Sequence, residues 1–91
     1  MNLYTKKGKP LQVYGEKVYS KSGKIVGKIR GEKVFGTDGK YVGSIVNDRL
    51  VYRSSHSTSI GSSFSASNRS GTGKANRGSS GIWGDEPNIP E

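Results

Sequence analysis

Residues 18–33 read VYSKSGKIVGKIRGEK and residues 34–49 read VFGTDGKYVGSIVNDR, and the two lines match position for position. Each opens on an aliphatic–aromatic pair, Val18-Tyr19 or Val34-Phe35. Five residues after the aliphatic comes a turn glycine followed by lysine, Gly23-Lys24 or Gly39-Lys40. Val26-Gly27-Lys28-Ile29 and Val42-Gly43-Ser44-Ile45 follow, and each line closes on an acid and a base, Glu32-Lys33 or Asp48-Arg49. The pattern extends upstream through Leu3-Tyr4, Gly8-Lys9 and Gly15-Glu16-Lys17. Downstream it fades into a fourth copy read as opening at Val51-Tyr52. A period near sixteen marks one supersecondary unit copied in tandem.

Each unit predicts a β-hairpin. Valine, isoleucine and the aromatics favour strands, and Asp38-Gly39 is a favoured hairpin turn because both residues tolerate positive φ. Gly27 and Gly43, inside strands, mark a bulge or a close backbone approach. Strands this short are unstable as isolated hairpins, so four sharing one core, closed into a ring, is the arrangement that also hides the sheet edges. The expected fold is all-β: four pseudo-symmetric β-hairpins in a shallow ring or barrel, with a Ser/Gly-rich C-terminal tail.

The composition changes near Arg53. Of 91 residues, 15 are Lys or Arg and 7 are Asp or Glu, a net charge of +8, and residues 1–53 carry all of that excess. The remainder is rich in serine and glycine, with too few apolar side chains to offset its ordering entropy as an independent fold. The reading is a hairpin-repeat domain over 1–64, a Ser/Gly linker over 65–81 and a C-terminal segment, 82–91, that packs back on the domain through Trp83. On this view Trp83 fills a groove while Asp85 or Glu86 pairs with the cations of the domain.

The tandem aliphatic-Tyr-x-x-x-Gly-Lys-x-Val-Gly-x-Ile pattern resembles the four-fold β-flower domain. So does the ending Asp48-Arg49-Leu50-Val51-Tyr52-Arg53-Ser54 with, later, Trp83-Gly84-Asp85-Glu86-Pro87. The Gly-Lys-x-Val-Gly element is similar also to PRC-barrel-like domains. The β-flower resemblance, to a family of small bacterial and phage-type proteins, implies a ring of four hairpins and brings no biochemical activity with it. Two departures stand out: Leu11-Gln12-Val13 replaces Val-Gly-x-Ile in the first copy, and His56 stands at the turn-glycine position of the fourth.

Chemistry is sparse. The chain has no cysteine and one histidine, so thiolate metal sites and cysteine nucleophiles are excluded. His56 lies among serines with no orienting partner in the pattern. Gly71-Thr72-Gly73-Lys74 is followed by Ala75 and lacks the upstream glycine of a phosphate loop. No catalytic residue, metal site or cofactor is expected. No apolar run reaches the roughly 18–20 residues of a membrane span, and the start lacks a signal-peptide core; a cytoplasmic protein without a stable membrane anchor is expected.

Binding is the better expectation. The repeat puts cations at matching stations: Lys9, Lys24 and Lys40 at the turns, and Lys17, Lys33 and Arg49 at the links between hairpins. Tyr4, Tyr19, Phe35 and Tyr52 repeat with them. Converging cations attract anions, and aromatics among cations are the ingredients of nucleic-acid binding. The function expected is a non-enzymatic module whose cationic rings grip an anionic partner, nucleic acid foremost. The alternative is an assembly module that self-associates into a homo-oligomer through the faces of the ring or through its tail.

Overall fold

In a computed structural model the described residues are 3–56, 60–61 and 63–89. Residues 1–2 of the hairpin domain, 57–59 and 62 of the fourth copy and 90–91 of the C-terminal segment lie outside them. Seven strands form a closed barrel in chain order: β1 (Leu3–Thr5), β2 (Pro10–Tyr14), β3 (Lys17–Tyr19), β4 (Ile25–Arg30), β5 (Lys33–Phe35), β6 (Tyr41–Val46) and β7 (Arg49–Val51). No α-helix occurs among the described residues, and none there is long and apolar enough to cross a membrane.

Consecutive strands pair antiparallel, and β1 closes the ring by pairing in parallel with β7, Tyr4 opposite Arg49 and Thr5 opposite Leu50. Three complete hairpins and one further strand thus make the ring. One rim carries the two-residue links Gly15-Glu16, Gly31-Glu32 and Asn47-Asp48. Their first residues share a left-handed backbone, with φ of 61°, 65° and 56°, a conformation glycine and asparagine accept readily. The other rim carries the loops 5–9, 20–24 and 36–40. In each, the first amide donates to the carbonyl of the closing lysine: Thr5 to Lys9, Ser20 to Lys24, Gly36 to Lys40.

Alternation along the strands sends Leu3, Val18, Val34 and Leu50 inward, where they join Leu11 and Val26 in the core. Leu50 therefore stands where Val34 stands in the previous copy, opposite Ile45 as Val34 is opposite Ile29. The fourth copy opens on Leu50-Val51, one residue earlier than the aliphatic–aromatic pattern suggests. Tyr52, expected in the aromatic ring, instead takes the station of Thr5, Ser20 and Gly36.

Both readings of the strand glycines hold together. The β3–β4 register slips between Val18, opposite Gly27, and Tyr19, opposite Ile25, so Val26 is bulged; Val42 is bulged likewise opposite β5. A Cβ on Gly27 would stand 2.3 Å from the Phe35 carbonyl oxygen, and one on Gly43 2.9 Å from Leu50 Cδ1.

The Ser/Gly-rich stretch read from composition as a linker lies against the loop rim as an extended belt. Gly61, Arg69 and Arg77, eight residues apart, donate their amides to the carbonyls of Gly39, Gly23 and Gly8. Phe64, Thr72 and Ser80, also eight apart, donate to Thr37, Lys21 and Lys6. The belt visits the hairpins in reverse order and ends at the fourth unit, where Asp85 and Tyr52 exchange both backbone hydrogen bonds at 2.8 Å. Beyond it Pro87 is buried and Ile89 packs against the core.

Candidate nucleic-acid interface

The two expected rings of cations occupy opposite rims. Lys9, Lys24 and Lys40 are exposed at the ends of their loops, each just after a left-handed glycine (Gly8, Gly23, Gly39). Lys17, Lys33 and Arg49 begin β3, β5 and β7 beside the links and are half-buried. The charge environments differ. Each link-rim cation directly follows an acid, Glu16, Glu32 or Asp48. Glu16 pairs with Lys28 at 3.7 Å, and Asp48 with both Arg49 and Arg77.

Arg49 serves the fold directly. Its guanidinium donates to the carbonyls of Thr5, Lys6 and Gly78, the last at 2.8 Å, clamping the belt to the point where the ring closes. The link-rim cations therefore stand among acids, and Arg49 is held by backbone carbonyls.

The loop rim gathers Lys6, Lys7, Lys9, Lys21, Lys24 and Lys40 on three loops. Two of the carboxylates there, Asp38 and Glu86, accept hydrogen bonds from the loops themselves. Asp38 accepts from the Lys40 amide, while Glu86 accepts from Thr5 Oγ1 and the Lys7 amide, all between 2.9 and 3.0 Å. Glu86 thus meets a loop backbone and a hydroxyl rather than the expected lysine heads. Between the first two loops and the belt lies a groove of about 500 Å³, lined by Lys9, Lys21, Ser22, Thr72, Asn76 and Ile89.

The repeated aromatics are covered. Tyr4 lies under the Arg77 guanidinium, 4.9 Å from the ring centre, with Lys74 Nζ at 5.8 Å. Arg69 sits 3.4 Å from the centre of Tyr14 and 5.6 Å from that of Tyr19. Gly61 presses on Phe35 so closely that a Cβ there would come within 2.8 Å of the ring. The belt thus offers its own cations to the faces that bases would stack on. Arg69 and Arg77 are the ring-covering side chains the repeat did not reveal; their trace in the sequence is Asn-Arg at 68–69 and again at 76–77.

Trp83 does not fill a groove. It is 62% exposed, with the Arg53 guanidinium 5.0 Å from its ring centre and Arg53 Nε donating to its carbonyl. His56 ends a short 3-10 turn, Ser54–His56. Among the described residues no three histidine, cysteine or acidic side chains gather as a metal site.

A ring of short hairpins closed on itself is the geometry that the family comparison carries, and the family described as 4-fold beta flower protein matches residues 1–82. The chain belongs to that family. The match runs through most of the belt, so the flower family's extent takes in hairpins and belt alike. Comparisons with curated proteins and with solved structures give no match.

Proposed function

We propose that this flower is a non-enzymatic binding module of the cytoplasm that takes an anionic partner on its loop-rim lysines, with nucleic acid the leading partner. One observation carries the reading: six lysines share one rim with three carboxylates, Asp38, Asp85 and Glu86, a local excess of positive charge. Like charges held together on a rigid frame repel one another, and a polyanion relieves that repulsion while its condensed counterions are released. Because the belt covers the aromatic stations, the loop lysines contact phosphates, which position a nucleic acid without reading its sequence.

Electrophoretic shift of a mixed-sequence oligonucleotide at two salt concentrations tests this. The expected result is retention at low salt that weakens steeply as salt rises, and its loss in the Lys24→Glu/Lys40→Glu variant. Absence of retention at low salt overturns the reading. Self-association remains the second reading, favoured by Ile60, which is 84% exposed. Light scattering would then report a mass that rises with concentration and is indifferent to the two charge reversals.

A further inference from the structure

The Tyr4, Tyr19 and Phe35 stations face the belt, and Tyr14 has Arg69 against its ring. Trp83 is the most exposed of the described aromatics, 62% against 47% for Tyr14, although the Arg53 guanidinium stands 5.0 Å from its ring centre. Indole is costly to leave in water, since it is among the largest apolar surfaces a side chain offers. Its position is nevertheless fixed at both ends. Upstream, the Ser80 amide donates to Lys6; downstream, Asp85 is locked to Tyr52, and Arg53 Nε holds the Trp83 carbonyl itself.

The indole borders a cleft of about 400 Å³ that also takes in Lys6, Tyr52, Arg53 and Asp85. Two cations against one carboxylate leave it positive, and it lies on the same rim as the other loop lysines. An aromatic platform flanked by cations, held still and open to solvent, matches what one unpaired nucleotide requires. The base stacks on the ring, and the phosphates lie against the ammonium and guanidinium groups. A duplex keeps its bases stacked on one another and has none to offer.

We propose that Trp83, with Lys6 and Arg53, forms a stacking site for one base of a single-stranded nucleic acid. This rests on the nucleic-acid reading above and narrows it to single strands. Trp83 is the chain's one tryptophan, so its emission reports this cleft alone.

The full chain is titrated at low salt with oligo(dT), with a duplex of equal length and with heparin. The expected result is quenching by oligo(dT) well beyond that by duplex or heparin. Trp83→Ala, its fold checked by far-ultraviolet circular dichroism, should bind oligo(dT) about ten- to a hundredfold more weakly, with duplex and heparin binding unchanged. Trp83→Phe should fall between. Retention of oligo(dT) by gel shift with unchanged emission, or by Trp83→Ala at wild-type affinity, overturns the stacking site and leaves the rim reading standing. No retention of any nucleic acid removes both. An emission blue shift that depends on protein concentration alone would mean that a second copy covers Trp83, and overturns the proposal.

Discussion

Asp85 accepts the Tyr52 amide on its carbonyl at 2.8 Å, the part that Lys9, Lys24 and Lys40 play for Thr5, Ser20 and Gly36. In three units the loop closes on its own chain. In the fourth a residue more than thirty positions downstream closes it, and the reciprocal Asp85-to-Tyr52 bond makes the pair a bridge. The end of the belt is thereby part of the ring's construction.

Deleting residues 85–91 removes that bridge, the Glu86 hydrogen bonds with Thr5 and Lys7, and the packing of Ile89 on the core. At about 1 kcal/mol for each of the four net hydrogen bonds and a similar or larger contribution from the isoleucine, the loss should be about 5 kcal/mol. Urea unfolding followed by circular dichroism should show a lower midpoint. An unchanged midpoint would mean that the segment is ornamental.

Gly23 and Gly15 separate two reasons for glycine. Both are left-handed, at φ of 96° and 61°. A Cβ on Gly23 would stand 1.8 Å from the Arg69 carbonyl oxygen, whereas one on Gly15 would meet nothing within 4 Å. Gly15→Ala should cost only the backbone strain, about 1–2 kcal/mol. Gly23→Ala should cost more and also loosen the belt near Arg69, seen as faster amide exchange there. Equal costs would argue against the close packing of belt on loop.

The strand glycines should rank. Gly27→Ala drives a methyl into the Phe35 carbonyl, while Gly43→Ala meets the flexible end of Leu50 first, at 2.9 Å. Thermal unfolding should show the larger drop for Gly27→Ala. The reverse order would contradict the packing described at the two bulges.

Arg69→Ala and Arg77→Ala each remove a cation from an aromatic face, a loss of about 0.5–2 kcal/mol. Arg77 also pairs with Asp48. Limited proteolysis should find the belt cut faster in both variants, at sites near the substitution. Cutting as slow as in the unaltered chain would show that the backbone rungs alone hold the belt.

Charge reversal should discriminate between the rims. Lys24→Glu/Lys40→Glu should weaken oligonucleotide binding and flatten its salt dependence by about one unit of slope for each phosphate no longer neutralised. Lys17→Glu/Lys33→Glu, beside Glu16 and Glu32 on the link rim, should change both far less. Equal effects would mean that net charge, not the loop rim, drives association.

The ring was legible because its signals are side chains: inward aliphatics at alternate positions, turn glycines, and link residues that accept positive φ. The fourth copy misled because Val51-Tyr52 imitates the opening pair, while the true station, Leu50, follows Arg49 just as Val34 follows Lys33. The belt was illegible for a deeper reason. Its rungs are backbone amides donating to loop carbonyls, and an amide leaves no letter in a sequence. Serine and glycine, which in isolation imply a loose chain, are the residues slender enough to lie so near a rim; a Cβ on Gly71 would already come within 3.0 Å of the Lys21 carbonyl oxygen. Trp83 misled by its size, which suggests an anchor inside rather than a ring left 62% exposed. Of the expected cations, Lys9, Lys24 and Lys40 were legible as loop residues, whereas the carbonyls that Arg49 holds come from remote parts of the chain and leave no local pattern.

Since the belt pairs one octad with each sixteen-residue unit, petals and rungs have to be counted together. A gene that gained a copy upstream without eight more codons downstream would encode a ring with one petal left unlaced. Lengthening the strap alone would give slack with nowhere to fasten. Growth of such a protein by tandem duplication is thus checked by its own far end, which ties the size of the whole to two matched tallies.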